Sequence, residues 1–150
     1  MAHEFHYRAE VHAIAAQHRL DSDLVEAVCL VESSGRTSAY RYEPQFWLRY
    51  MAKNPRWDGA IPERVSASYG LLQCMYPVAL ELGMPAQDPP EYLFVPVYGL
   101  QYGCRKLREV LGWAKGDLPA ALAAYTTAAR PPTTSRAWCR SGTRPMSTRC

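Results

Sequence analysis

Glu32 is the residue whose position in the sequence most directly suggests chemistry. It follows Val28 by four residues and Val25 by seven, so a helix through this segment places its carboxyl group on the apolar face. Burial and the negative end of the helix dipole both disfavour the charged form, so both raise the pKa of Glu32. A carboxyl group that keeps its proton near neutral pH suits a general acid, as in the cleavage of a glycosidic bond.

A purely structural role would explain Glu32 equally well from spacing alone. If the helix is rotated or frays at its end, the carboxylate is solvated or pairs with Arg36 or Arg41. The flanking residues do define a helix: residues 21–23 (Asp-Ser-Asp) offer capping side chains, and residues 33–35 (Ser-Ser-Gly) are typical of a helix end. Glu32 is therefore predicted in the last helical turn, with both interpretations open.

Apolar residues at helical spacing predict a mainly α fold around this helix. Other helices are predicted over residues 11–18, 46–51, 77–83, 100–111 and 118–125. Residues 37–66 are rich in aromatic, proline and charged side chains, which predicts an irregular loop region over the core. No segment alternates as a strand does. The fold class expected is a small helical domain with an irregular aromatic-rich loop region.

Length and charge predict one domain with a separate tail. The chain has 150 residues, 48% of them hydrophobic, which is enough for one core. Its net charge of +3 includes five arginines beyond residue 129, and without these five the charge of residues 1–129 is −2. We therefore predict a domain over 1–129, a disordered basic tail over 130–150, and no binding to nucleic acid.

Histidines and cysteines show no pattern typical of a metal site. The histidines are His3, His6, His12 and His18. No acidic residue or cysteine stands at a matching ligand spacing, so we predict no metal and no cofactor. The five cysteines are odd in number and lack close pairs, so no disulfide framework is predicted. Cys29, Cys74 and Cys104 are expected to be buried as small hydrophobic residues.

The sequence also predicts a protein that does not insert into a membrane. No stretch approaches roughly 18 uninterrupted apolar residues, and the start, MAHEFHYRAEVH, is polar where a secretory signal would be apolar. Synthesis in the cytoplasm without a signal peptide is the expectation. A monomer is expected.

Several segments together resemble a known family. Glu32-Ser33 is followed in order by AYRYEPQFW, SASYGLLQCMYPVALELG, EYLFVPVYGLQYGCRKLREVL and ALAAY. Over residues 8–125 these resemble the lytic transglycosylase (SLT) domain of the goose-type lysozyme-like superfamily. The most specific stretch, residues 68–73 (Ser-Tyr-Gly-Leu-Leu-Gln), is similar to the family's Gly-Leu-Met-Gln. Residues 42–44 (Tyr-Glu-Pro) resemble the versions found in phages and prophages.

The resemblance implies a substrate, a reaction and a site. Peptidoglycan glycan strands would be the partner, and Glu32 would protonate the oxygen between N-acetylmuramic acid and N-acetylglucosamine. The same carboxylate would then deprotonate the muramic 6-hydroxyl, which closes a 1,6-anhydro ring without consuming water. Glu43 is interpreted as structural or substrate-orienting. The substrate-binding residues implied are Ser33, Ser68, Tyr69, Gly70, Gln73 and Tyr125.

Each of these binding residues also has a structural interpretation. Ser33 can cap the helix end, and Gln73 can bond to loop backbone. Gly70 fits either a close backbone approach or an ordinary turn. Tyr69 can stack on a sugar or pack in the core. For Tyr125, the resemblance implies a hydroxyl contact with the catalytic glutamate, and core packing explains the residue as well.

The sequence departs from the family directly after Tyr125. The family continues with Asn and glycine, whereas residues 126–129 here are Thr-Thr-Ala-Ala. A change of reading frame is one hypothesis for this segment and the tail, and a natural basic tail is the other. Two competing functions remain: a goose-type lysozyme that uses Glu32 with water, and an inert glycan-binding or virion structural domain. Action at the cell wall would follow release at lysis or carriage on a virion.

Overall fold

The computed structural model describes residues 5–126, and within them the chain is mainly helical, as predicted. The elements are α1 (Arg8–Gln17), α2 (Ser22–Ser33), β1 (Tyr40–Tyr42), α3 (Pro44–Phe46), α4 (Pro62–Val65), β2 (Ala67–Tyr69), β3 (Cys74–Met75), α5 (Tyr76–Glu81), α6 (Pro96–Trp113) and α7 (Leu118–Thr126). A π-helical segment, Trp47–Met51, continues α3, and 3-10 turns cover Pro55–Trp57 and Pro90–Phe94. The tail predicted over 130–150 lies outside the described residues.

Helix α2 begins and ends where its capping residues predict. The Asp21 carboxylate accepts hydrogen bonds from the backbone N–H groups of Asp23 (2.8 Å) and Leu24 (3.3 Å). At the other end, Ser34 and Gly35 adopt left-handed backbone angles, with φ of 54° and 73°. The buried residues of the helix are Val25, Val28, Cys29 and Ser33. The last turn, which carries Glu32, is therefore well formed.

The structure contains a small antiparallel sheet, which no alternation in the sequence indicated. The strand order is β1-β2-β3. Tyr69 of β2 pairs with Tyr40 on one side and Cys74 on the other. Strands of two or three residues are too short to show the alternation by which a strand is recognised in a sequence. The sheet joins the irregular loop region to the segment 68–73.

Two apolar clusters form the core on either side of this segment. One combines α1, α2, α6 and α7 with Leu71 and Leu72, and the other combines the sheet, α5 and the aromatic loop region. Cys29, Cys74 and Cys104 are buried free thiols, as predicted. None of the helices in the described part of the chain has the length and apolar character needed to cross a membrane.

Close packing of α6 against Leu72 depends on Gly103. A Cβ atom at this position would lie 2.5 Å from the Leu72 Cβ and 2.5 Å from its Cδ1. Gly112 lies in the same helix, and a Cβ there would meet nothing within 4 Å. Alanine substitutions at Gly103 and Gly112 therefore distinguish the effect of packing from the effect of helix propensity.

We expect Gly103→Ala to lower the free energy of unfolding by about 1–3 kcal/mol, because Leu72 must leave its place in the core. Gly112→Ala, the matched control, should raise it by up to about 1 kcal/mol, because alanine favours a helix interior. Denaturant unfolding of both variants measures the difference. Equal effects at the two positions would contradict the packing of α6 on Leu72.

Candidate active site

Glu32 lies in the last turn of α2 with its side chain half-buried. Its Oε1 atom is buried and has no hydrogen-bond partner among residues 5–126. Burial raises the pKa of the carboxyl group above its ordinary value of 4.5, while the positive charges of Lys106 and Arg41 oppose the rise. A raised pKa favours the protonated form, which is the form that a general acid requires.

The two arginines that could have neutralised Glu32 have other partners. Arg36 donates from Nε to the Ser33 carbonyl at 3.3 Å. Arg41 donates from Nε to Oε1 of Glu43 at 2.6 Å. Neither forms an ion pair with Glu32 within residues 5–126, so the interpretation of Glu32 as a paired surface residue does not describe this structure.

Ser33 and Gln73 make hydrogen bonds to the backbone. The Ser33 hydroxyl donates to the carbonyl of Cys29, one turn earlier in α2, at 2.8 Å. The Gln73 side-chain amide donates to the carbonyls of Ala39 and Gly70, both at 3.0 Å. Gln73 thus holds the turn at residues 70–73 against the chain that enters β1. The structural interpretation applies to both residues, and a direct contact with substrate stays a prediction.

Ser68 and Tyr69 lie in β2, each with only 3% of its surface exposed. The Tyr69 ring packs edge-on against Tyr40 and Phe94, with ring centroids 5.4 Å and 4.9 Å away. Its hydroxyl donates to the Arg64 carbonyl at 2.5 Å. Stacking on a sugar would need a face of the ring that packing already covers, so Tyr69 is better described as a core residue that fixes the sheet.

Both interpretations of Gly70 from the sequence apply in the structure: it forms a turn, and it allows a close approach of the backbone. Its φ of +74° belongs to a left-handed turn, and a Cβ there would lie 2.4 Å from the carbonyl oxygen of Leu93. Its N–H donates to the Ala39 carbonyl at 2.8 Å. The glycine therefore allows both the turn and the close approach of segment 90–94.

Tyr125 is buried near Glu32, but its hydroxyl donates elsewhere. The O–H group donates to the Leu72 carbonyl at 2.7 Å, and 2% of the residue is exposed. Burial is the main cause that raises the pKa of Tyr125 well above its ordinary value, and the charge of Glu32 adds to the rise. The contact with glutamate implied by the resemblance is thus replaced by a bond to the turn at residues 70–73.

Lys106 is a residue of this region that the sequence analysis missed. It is buried in α6, and its Nζ donates to the Tyr125 carbonyl at 2.8 Å. It follows Gly99 by seven residues and Gly103 by three, so all three share one helix face. Two glycines at that spacing indicate a closely packed face and could have predicted the burial of Lys106.

A second cluster of ionisable groups joins α1 to the first half of α2. The ligand-type atoms of His12, Asp23 and Glu26 lie within 4.8 Å of one another, so His12 does have acidic neighbours, supplied by the next helix. Arg8 donates to Oε1 of Glu26 from Nε (3.1 Å) and Nη2 (2.8 Å). This bond is the main cause that lowers the pKa of Glu26. An ion-pair network between two helices accounts for the cluster.

The mainly helical fold, with a half-buried acid at a helix end, is consistent with a small lysozyme-like domain. The family model described as Transglycosylase SLT domain matches residues 10–137, and the chain belongs to this family. No curated protein and no solved structure matches the chain. At the level of the family, membership supports the cleavage of peptidoglycan by a lytic transglycosylase.

Proposed function

We propose that this protein is a peptidoglycan lytic transglycosylase with Glu32 as its catalytic acid. The observation that carries the proposal is the state of the Glu32 carboxyl group: it is half-buried, has a raised pKa, and has one oxygen without a hydrogen-bond partner among residues 5–126. A general acid needs a retained proton, which the raised pKa favours, and among residues 5–126 the buried Oε1 is not committed to another protein group. Family membership identifies the substrate class as peptidoglycan.

The proposed reaction uses the Glu32 carboxyl group twice. Its proton moves to the oxygen between N-acetylmuramic acid and N-acetylglucosamine as the bond from that oxygen to the muramic anomeric carbon breaks. The resulting carboxylate then accepts the proton of the muramic 6-hydroxyl, whose oxygen bonds to the anomeric carbon. The products are a free N-acetylglucosamine end and a 1,6-anhydromuramic end, and Glu32 is protonated again.

Product chemistry tests this proposal. Purified peptidoglycan is incubated with the full chain or with Glu32→Gln, and the soluble products are analysed by mass spectrometry. We expect 1,6-anhydromuramic ends from the wild type and none from the variant. Reducing muramic ends would assign the chain to the goose-type lysozymes instead. Binding of peptidoglycan without products, from a folded sample, would indicate an inert glycan-binding domain.

The remaining parts of the proposal concern the protein's setting. We propose a monomeric enzyme of the phage or prophage type that acts at the cell wall, after release at lysis or as part of a virion. The resemblance of residues 42–44 to phage versions supports this setting. Sedimentation of the purified chain measures the oligomeric state.

A further inference from the structure

Arg41 places an exposed positive charge on β1, the outer strand of the small sheet. Its Nε donates to Oε1 of Glu43 at 2.6 Å, while 58% of its side chain is exposed. A guanidinium has five N–H groups, one at Nε and four at the two terminal nitrogens. Among residues 5–126, the hydrogen bond of Arg41 uses only the group at Nε. The four terminal N–H groups are therefore available to an acceptor on a bound molecule.

Glu43, which holds the guanidinium, is itself held by Ser66. The Glu43 N–H donates to the Ser66 carbonyl at 2.8 Å, and the Glu43 carbonyl accepts from the Ser66 hydroxyl at 2.9 Å. Ser66 is buried, and the side chain of Glu43 is only 17% exposed. Because the backbone of Glu43 is fixed and most of its side chain is covered, the carboxylate restricts the positions that the Arg41 guanidinium can take.

The strand pairing places Arg41 beside the stretch 68–73, for which the family resemblance implies substrate binding. Arg41 lies directly opposite Ser68 of β2. Residues directly opposite each other in an antiparallel pair have their side chains on the same face of the sheet. Ala39, just before β1, accepts a hydrogen bond from the Gln73 side-chain amide at 3.0 Å. The strand that carries Arg41 and the stretch 68–73 are thus joined by direct bonds.

Arg41 also follows closely on the end of α2 that carries Glu32. Two successive turns fold the connection, with bonds from the Arg36 N–H to the Ser33 carbonyl (3.1 Å) and from the Ala39 N–H to the Arg36 carbonyl (3.3 Å). Burial raises the pKa of Glu32, and the charge of Arg41 is one of those that oppose the rise, which agrees with this placement. A glycan strand bound at Glu32 would therefore pass close to the exposed guanidinium.

Peptidoglycan offers an acceptor that suits this group. Each N-acetylmuramic acid carries a lactyl substituent, whose carboxyl group is either free or extended by a short peptide with carboxylates of its own. A guanidinium binds a carboxylate through two parallel N–H···O bonds. N-acetylglucosamine carries no charge. A cation beside the sugar cleft therefore distinguishes muramic residues from uncharged sugars.

We propose that Arg41 is a specificity-determining residue, which binds a carboxylate on the muramic acid substituent of peptidoglycan. This inference rests on the proposed function for its substrate class. The bond from Nε to Glu43 restricts the guanidinium before the substrate arrives, so less side-chain freedom is lost on binding. The role differs from that of Glu32, because Arg41 contributes to the recognition of the strand and takes no part in proton transfer.

Binding to soluble glycan strands, without cleavage, tests the proposal. The Glu32→Gln chain is titrated calorimetrically with un-cross-linked strands that carry their peptides, and with the same strands after conversion of all carboxyl groups to neutral amides. Addition of Arg41→Gln should raise the Kd for the charged strands about tenfold and leave the Kd for the neutral strands unchanged. Addition of Arg41→Lys should give an intermediate Kd, because lysine keeps the charge but lacks the planar set of donors.

Strands from which an amidase has removed the peptides identify the carboxylate that is bound. These strands keep the lactyl carboxylate. If the effect of Arg41→Gln persists on them, the lactyl group is the partner of Arg41. If the effect disappears together with the peptides, a carboxylate of the peptide is the partner. Either result supports the proposal.

Arg49→Gln is the matched control for the loss of one exposed arginine. Arg49 is exposed in the π-helical segment, with its guanidinium carbon 5.6 Å from the centroid of the Tyr50 ring. Its substitution should leave the Kd for both kinds of strand unchanged. Thermal stability should be nearly the same in Arg41→Gln and in Arg49→Gln, because an ion pair as exposed as that of Arg41 contributes little.

Three outcomes would overturn the proposal: a rise of Kd that is equal on charged and neutral strands, no rise on either, or no measurable binding of charged strands. Product analysis of the wild type tests the proposed function separately. Release of 1,6-anhydro products together with a Kd that does not depend on Arg41 would contradict the role of Arg41 alone. Binding that depends on Arg41 and on carboxylates, without products, would contradict the proposed cleavage alone.

Discussion

Glu32→Gln will lower the rate at which this protein releases 1,6-anhydro products from peptidoglycan by about two to four orders of magnitude. Glutamine keeps the shape of the side chain but has no acidic proton for the leaving oxygen. The initial rate of product release, measured at equal protein concentration, gives the ratio. A variant with more than about a tenth of the wild-type rate would show that another residue is the acid.

The same substitution should raise thermal stability, and only at higher pH. Burial raises the pKa of Glu32 in the folded chain above the ordinary value of 4.5. Protonated Glu32 therefore makes its full contribution to stability below the pKa that it has in the unfolded chain. This contribution is lost as the pH rises through the higher pKa that Glu32 has in the folded chain. Glutamine has no such dependence, so the Tm of the variant should match the wild type near pH 4 and exceed it near pH 8.

Glu26→Gln is the matched control on the same helix. The hydrogen bond from Arg8 lowers the pKa of Glu26 in the folded chain. The stability that Glu26 contributes is therefore present above the pKa that it has in the unfolded chain, and it is lost as the pH falls through the lower pKa of the folded chain. This variant should be less stable than the wild type near pH 8, lose that difference in acid, and keep its activity. Parallel pH trends for the two variants would contradict the assignment of a buried acid at Glu32.

Local signals predicted the part of the fold that carries Glu32. The Asp21 cap and the Ser33-Ser34-Gly35 end are properties of a few neighbouring residues, and they define α2 without reference to the rest of the chain. The apolar spacing then fixes the face on which Glu32 lies. For this reason the half-buried carboxyl group and the direction of its pKa shift could be predicted.

The partners of the surrounding side chains could not be predicted in this way, because they come from distant parts of the sequence. The hydroxyl of Tyr125 donates to Leu72, 53 residues earlier. Tyr69 is covered by a ring from each of two separate segments. The type of a residue determines which groups its side chain can bond to, but the tertiary fold determines which of these groups lies beside it. The two glycines on its helix face could have predicted that Lys106 is buried, but not that its partner is the Tyr125 carbonyl.

Gly70→Ala will lower the free energy of unfolding by roughly 2–5 kcal/mol, from a strained left-handed backbone together with a steric overlap. The overlap is with the carbonyl oxygen of Leu93, a backbone atom. A Cβ at Gly99 would also lie 2.4 Å from this oxygen, so two glycines pack closely against the same carbonyl group. Since Gln73 bonds to the Gly70 carbonyl, we expect activity to fall as well.

Gly59→Ala isolates the backbone part of this effect. Gly59 has nearly the same φ, +75°, and a Cβ there would meet nothing within 4 Å. Its substitution should cost only about 1–2 kcal/mol and leave activity unchanged. Denaturant unfolding of both variants therefore yields the contribution of the overlap as a difference. If the two costs were equal, the close approach of segment 90–94 would not constrain the turn at Gly70. Only the left-handed backbone would then require glycine there.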